Sequence, residues 1–248
     1  MILLNSFGPS LNVAIVGASG GIGQALVGVL AEDSRVRNVH ALSRRKVTPG
    51  VPHVTWTYLD LQDETSITNA AVATTRSDPL DLVIVSSGML WRGEQVLPEK
   101  AMREITSDSL NELFAINAIG PTLVAKHFLP RLRKDGRTVF AALSARVGSI
   151  GDNRLGGWYA YRASKAALNM LLKTLSIEHA RQWPESAVIG LHPGTVATAL
   201  SDPYTSRTPR DRLFEPETAA RHLLHVADQV TPDDSGGIFA WDGKRIEY

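Results

Sequence analysis

The feature that most constrains this chain is Val13-Ala-Ile-Val-Gly-Ala-Ser-Gly-Gly-Ile-Gly-Gln24, which runs directly into the apolar-periodic stretch Ala25 to Leu30. β-prone residues end in glycines at 17, 20, 21 and 23 and a helical pattern follows, so the segment reads as strand, tight turn and helix amino terminus. The first amides of a helix have no partner within it and lie at the positive end of its dipole. Glycines remove the Cβ atoms that would hold a ligand away from those amides, so the turn is a place for a phosphate. The spacing is Gly-x-x-x-Gly-x-Gly at Gly17, Gly21 and Gly23, with Ser19, Gly20 and Ile22 between. No Lys-Ser/Thr ending follows, which argues against a nucleotide-triphosphate loop and hence against a kinase or ATPase.

Strand-like and helix-like segments alternate along the whole chain. Candidate strands are 12–16, 38–43, 54–58, 82–86, 138–143, 188–192 and 238–241, with helical stretches between most of them. Such alternation predicts a doubly wound parallel sheet in a three-layer α/β/α sandwich, with ligands beyond the carboxyl ends of the strands. At 248 residues and 44% hydrophobic content the chain is long enough to bury its core as one domain over 1–248. Its 26 basic and 25 acidic residues are interspersed, so no charge excess points to nucleic acid or a membrane surface. With no cysteine, a disulfide framework, a thiolate nucleophile and a Cys-based zinc site are all excluded. The apolar runs fall short of the roughly 18 residues of a membrane span, and the segment 1–7 reads as a lead into the first strand, so the expected compartment is the cytoplasm.

Several strand ends carry residues suited to a dinucleotide. Ser43, Arg44 and Arg45 close the second strand, where an NAD-preferring site would place an acid for the ribose hydroxyl. A hydroxyl and two guanidinium groups suit a 2′-phosphate instead, which predicts NADP(H) in preference to NAD(H). At the third strand end, Asp60 could accept from the adenine amino group while Leu61 covers the ring. Ser86-Ser87-Gly88 ends the fourth, where Gly88 would let the chain pass close to the ribose. The run 111–133 is read as one long amphipathic helix, with Asn117 inside it.

Chemistry is expected from Gly157-Trp-Tyr-Ala-Tyr161-Arg-Ala-Ser-Lys165. Tyr161 and Lys165 are four residues apart and share a helix face. An ammonium beside a phenol favours phenolate and should lower its pKa toward the working range. Ser144, at the end of the preceding strand, completes the set. Mid-helix Asn, isolated Tyr–Lys pairs and basic turns also occur without any such role, and it is their combination that carries the reading.

Together these elements resemble the short-chain dehydrogenase/reductase family along essentially the whole chain. The resemblance rests on Gly17 to Gly23, Asp60-Leu61, Asn117, Tyr161-x-x-x-Lys165 and His192-Pro193-Gly194. Within the family, Gly148-Ser-Ile-Gly-Asp-Asn153, Gly156-Gly-Trp-Tyr159 and Ser235-Gly-Gly-Ile-Phe239 look like the C-factor/sniffer branch of carbonyl reductases. It implies a Rossmann-type fold and an NAD(P)(H)-dependent enzyme reducing an aldehyde or ketone, or oxidising the alcohol. It implies Tyr161 as general acid, Lys165 on the nicotinamide ribose, a serine on the substrate carbonyl, and Asn117 in a water-linked proton path. Ser87, Pro193, Gly194, Val196 and Thr198 would border the cofactor, and such enzymes are usually homodimers or homotetramers.

Three positions depart from the family pattern. Val16 replaces a threonine whose hydroxyl braces the glycine turn, and Ser86-Ser87-Gly88 replaces Asn-Asn-Ala-Gly. The catalytic serine usually stands three residues before a glycine, which here is Ala145 before Gly148; Ser144 is one place early, and Ser149 is the other candidate. These departures motivate a rival reading, an NADP(H)-binding sensor or C-factor-like signalling protein with weak or no catalysis. A metal-dependent hydrolase using His222 and His225 is the weaker rival, since the pair lacks a nearby acidic or cysteine ligand; no metal is expected. The Pro-rich segment 199–215 would be a substrate lid, with Arg207, Arg210 and Arg212 available to an anionic substrate, and Trp91, Arg146, Trp158 and Tyr204 are candidates for the pocket wall.

Overall fold

A computed structural model of the chain describes residues 4–47, 50–206, 209 and 212–248. Strand β1 (Leu11–Val16) is buried along its whole length. Its alternating side chains divide between two cores, Val13 and Ile15 entering one and Ala14 and Val16 the other. A strand that is apolar on both sides has to be covered on both faces. Parallel neighbours flank it, β2 (Val36–Ser43) and β4 (Leu82–Val85).

The sheet continues with β3 (Val54–Tyr58) beyond β2, and with β5 (Thr138–Leu143), β6 (Ser186–His192) and β9 (Ile238–Ala240) beyond β4. All these pairings are parallel, and β10 (Arg245–Ile246) closes the edge antiparallel. Chain order reverses between β1 and β4, which is where an open parallel sheet leaves a crevice for ligands. Helices α1 (Gly21–Ala31) and α6 (Pro216–Gln229) cover one face. The other carries α2 (Glu64–Thr74), α4 (Gly120–Phe128) and α5 (Tyr159–His179). This is the expected Rossmann-type, three-layer arrangement. The seven expected strands are present with ends shifted by at most two residues, and a small pair, β7 (Thr195–Val196) and β8 (Leu213–Phe214), stands outside the main sheet.

One element differs from expectation. The run 111–133 is not one α-helix but α3 (Ser107–Phe114), a π-helical turn over Ala115–Ile119, then α4 and a 3₁₀ turn over Leu129–Arg131. Pro121 has no amide to give the Asn117 carbonyl, so regular i, i+4 bonding fails there. The Gly120 amide reaches back to the Ala115 carbonyl instead, the wider step of a π turn. Hydrophobic periodicity hides this because both helices keep their apolar faces on the sheet. Among the described residues no helix is long and apolar enough to cross a membrane.

Phe128 ends α4 with no surface exposed, packed in the core under the β4–β5 half of the sheet. Phe128→Ala is expected to lower unfolding free energy by about 3–5 kcal/mol through lost burial and an unfilled cavity. Urea denaturation followed by circular dichroism measures it; a loss below about 1 kcal/mol would contradict this account of the core.

Candidate active site

A cavity of about 800 Å³ opens where β1 and β4 part, lined by the glycine turn, the ends of β2 to β5, α5 and residues 198–200. The turn is tied to the sheet: the Gly17 amide donates to the Leu42 carbonyl (2.8 Å) and the Gly20 amide to the Gly17 carbonyl (2.9 Å). No side chain caps α1, so its first amides are free to face the cavity. A Cβ at Gly23 would overlap the Gly17 carbonyl and stand 2.8 Å from Ser86 Oγ, so this helix can sit against its own strand only with glycine there. The hydroxyl that Val16 lacks is supplied from β4, for Ser86 Oγ donates to the Val16 carbonyl at 2.8 Å. These free amides and the closely packed glycines fit the diphosphate of a dinucleotide.

At one end of the cavity stand Ser43, Arg44, Arg45, Asp60 and Leu61. Ser43 Oγ donates to the Arg45 carbonyl (2.7 Å) and accepts from Trp56 Nε1 (3.2 Å), so it shapes the arginine turn and has no proton left for a ligand. Arg45 Nη2 donates to the Ser19 carbonyl (3.2 Å), which lays the guanidinium across the cavity mouth beside the glycine turn.

At the other end lie Ser144, Tyr161 and Lys165. Lys165 is 2% exposed and its Nζ donates to the Leu143 carbonyl at 2.8 Å, 5.9 Å from the centre of the Tyr161 ring. Burial pulls the Lys165 ammonium down to about 8 and pushes the Tyr161 phenol up to about 12. The expected lowering of the phenol is therefore reversed: desolvation outweighs an ammonium at this distance. Ser144 Oγ, also buried, donates to Asn169 Oδ1 at 2.6 Å.

Asn117 is fully buried inside the π turn and does not line the cavity. Its Oδ1 accepts from the Met89 amide (2.8 Å), and its Nδ2 donates to the Met89 carbonyl (2.8 Å) and to Ser164 Oγ (3.1 Å). The side chain is thus a strut between the loop after β4 and α5, with every amide proton engaged. Ser87, Gly88, Pro193 and Thr198 line the cavity, whereas Gly194 and Val196 are not part of its wall. Trp91 joins the wall and its Nε1 donates to the Leu200 carbonyl (2.8 Å). Trp158 meets both Tyr161 and Tyr204 edge-on, with ring centres 6.1 and 5.5 Å away. Arg146 points to Asp152 instead (3.4 Å).

The family profile of the short chain dehydrogenases matches residues 11–208, spanning the strands, turn and helix just described. The chain belongs to the short-chain dehydrogenase family. It is 33% identical over 173 residues to the C-signal of Myxococcus xanthus, covering 68% of this chain and 93% of that protein. It is 32% identical over 169 residues to 1-hydroxy-2-glutathionyl-2-methyl-3-butene dehydrogenase of Rhodococcus sp. strain AD45, covering 68% of this chain and 69% of that one. In fold it is similar to the carbonyl reductase Sniffer of D. melanogaster (TM-score 0.83, 21% identity, 96% and 100% of the two chains). It is equally similar to an NADPH-bound carbonyl reductase from chicken fatty liver (TM-score 0.83, 24% identity, 98% and 96%).

Two residues of this short-chain dehydrogenase escaped the sequence reading. Asn169 lies four residues after Lys165, so the helical spacing 161, 165, 169 was there to find it. Glu99 left no such signal. From 61 residues away its Oε2 accepts the Ala160 amide (3.3 Å) at the start of α5, and its carbonyl accepts the Trp158 amide (2.6 Å). His222 packs on Phe214 and Trp241, and among the described residues no cluster of His, Asp and Glu is arranged to hold a metal. Arg207 and Arg210 lie outside the described residues, and Arg212 is exposed.

Gly23→Ala is expected to weaken binding of the NAD(P)H cofactor at least tenfold, because the added methyl forces the turn off its strand. Fluorescence titration with NADPH checks this, and affinity within twofold of the parent protein would show that the turn does not hold the cofactor.

Proposed function

We propose that this oxidoreductase reduces a small aldehyde or ketone with NADPH, and reversibly oxidises the alcohol, as a single domain with a substrate lid over about 199–215. The observation that carries the reading is that Tyr161 and Lys165 line the same cavity as the glycine turn of α1. When bound, the cofactor supplies the hydride. The unpaired amides of the first turn of α1, from Gly21 onward, would hold its diphosphate, Lys165 would steady its ribose, and Thr198 and Pro193 would border its nicotinamide end. The fold likeness to an NADPH-bound carbonyl reductase is consistent with this.

Tyr161 then acts on the substrate oxygen. Its phenol, held protonated by burial, donates to the carbonyl and passes its proton on as the oxygen becomes alkoxide, a stronger base than phenolate. Lys165, charged below about 8, stabilises the phenolate left behind. Arg44 and Arg45 select NADP(H), Arg45 keeping guanidinium donors beyond the one given to Ser19. Ile119, Met170 and Ile177 are exposed on the π turn and α5, apolar surface that favours a homodimer or homotetramer.

Tyr161→Phe should abolish NADPH consumption with a panel of small aldehydes and ketones while leaving NADPH affinity within about threefold. Retained turnover would remove Tyr161 from the chemistry, and a wild-type protein inert across the panel would favour the cofactor-binding sensor. The reduction rate should be level near neutrality and fall as pH rises above about 8, where Lys165 loses its charge. Tyr161 imposes no acidic limb, since it stays protonated below about 12. Lys165→Arg should erase the alkaline limb, and a fall at the same pH in that variant would assign it elsewhere.

Arg45→Ala should cost about 10–100-fold in NADPH affinity, the worth of a charge-assisted bond, and leave NADH unchanged. Equal losses for both cofactors, read by fluorescence titration, would remove the arginine from 2′-phosphate recognition.

A further inference from the structure

Tyr161 stands in the first turn of α5, the third residue after Trp158. Helix ends fray unless their free amides are bonded. Trp158 occupies the capping position but contributes no side-chain bond, and the first turn carries no acid of its own. The Trp158 backbone is also left-handed, a conformation a tryptophan keeps only when its surroundings hold it there. By its own sequence, then, the turn that carries Tyr161 is the weakest part of the helix. Lys165, one turn further on, is already tied to the Leu143 carbonyl.

The missing cap comes from the loop after β4. Glu99 Oε2 accepts the Ala160 amide (3.3 Å), the bond an N-cap side chain ordinarily makes, and the Glu99 carbonyl accepts the Trp158 amide (2.6 Å). The carboxylate also sets a negative charge against the positive end of the helix dipole. Glu99 is 2% exposed, and its Oε1 has no hydrogen-bond partner among the described residues. Burying a half-bonded carboxylate costs stability, so its role is to be sought in what it holds. Its own placement is firm. Asn117 pins the loop at Met89, a bridge closes it between Arg92 and Val96, and Val96 joins Leu113, Ala160 and Tyr161 in one apolar cluster.

We propose that Glu99 is a positioning residue for Tyr161: it caps α5 from the loop after β4 and keeps the first helical turn in the shape that sets the phenol in the cavity wall. This rests on Tyr161 being the proton donor. The glycine turn and Lys165 are anchored elsewhere, to β2 and β5, so Glu99 governs turnover and leaves cofactor binding alone.

The test measures kcat of the full-length enzyme with a carbonyl compound the panel identifies, alongside NADPH affinity by fluorescence titration. Glu99→Ala should lower kcat about tenfold or more, as a misplaced proton donor does, and leave NADPH affinity within about twofold. Glu99→Gln keeps an accepting oxygen at the Ala160 amide and should hold kcat within about threefold of the parent. Glu99→Asp keeps the charge but is one methylene short of that amide, and should fall with the alanine variant. If Glu99→Ala does not fold, the contrast between Gln and Asp decides. Hydrogen exchange supplies a readout that needs no substrate: Glu99→Asp should speed exchange of the Ala160 amide about tenfold, one lost bond, and leave amides beyond Lys165 unchanged. A parent-like kcat in both Glu99→Ala and Glu99→Asp, NADPH affinity lost in step with kcat, or an Ala160 amide that exchanges as before overturns the proposal while leaving the Tyr161 assignment standing. Failure of that assignment shows separately, as turnover in Tyr161→Phe.

Discussion

A buried ammonium is costly unless it is bonded, and Lys165 meets that demand through the carbonyl of Leu143. This single bond joins α5 to the last residue of β5 and so ties the helix to the strand end it serves. Gly148 lets the turn after β5 lie directly on Lys165, and Asn169 takes the hydroxyl of Ser144 one helical turn further on. Tyr161, Lys165 and Asn169 therefore follow one stripe of α5, and the sheet fixes the stripe at two points. The groups that would touch a substrate sit on rigid elements, as electrostatic preorganisation requires.

The phosphate end obeys a different constraint, close approach of backbone to backbone. The turn has to lie flat against β1 for the α1 amides to point outward, and a brace is needed to keep it there. Two departures from the family pattern compensate each other at this point. Val16 contributes no hydroxyl, yet Ser86 from the neighbouring strand reaches the Val16 carbonyl. Read singly each departure looks like a loss, and only the pairing of β1 with β4 shows them to be one exchange.

Most of the fold was legible in the sequence because β1 and its neighbours are apolar on both faces and the helices between them are periodic. The glycine turn, Tyr161 and Lys165 were legible for the same reason, being defined by spacing within one element. What escaped depends on distance in the chain. Asn117 looked like an ordinary mid-helix polar residue until Pro121 forced the π turn that buries it, and there its amide serves as a strut. Ser43 looked like a ligand group, but Trp56 and the Arg45 carbonyl claim both sides of its hydroxyl. The phenol moved opposite to expectation because helix spacing reports how near two groups are and says nothing of how dry they are.

The residues leading into α5, Gly156, Gly157 and Trp158, are all left-handed in backbone, at φ of +65°, +66° and +53°. A tryptophan in that region is strained, and Glu99 holds the turn there, its carbonyl accepting the Trp158 amide and its Oε2 the Ala160 amide. The same tryptophan touches Tyr204, while Trp91 from the Glu99 side grips Leu200. The loop after β4 and the segment after β7 consequently share their fastenings. Displacing either flank would loosen the other, because Trp158 stands edge-on to both Tyr161 and Tyr204 and so ties the two together.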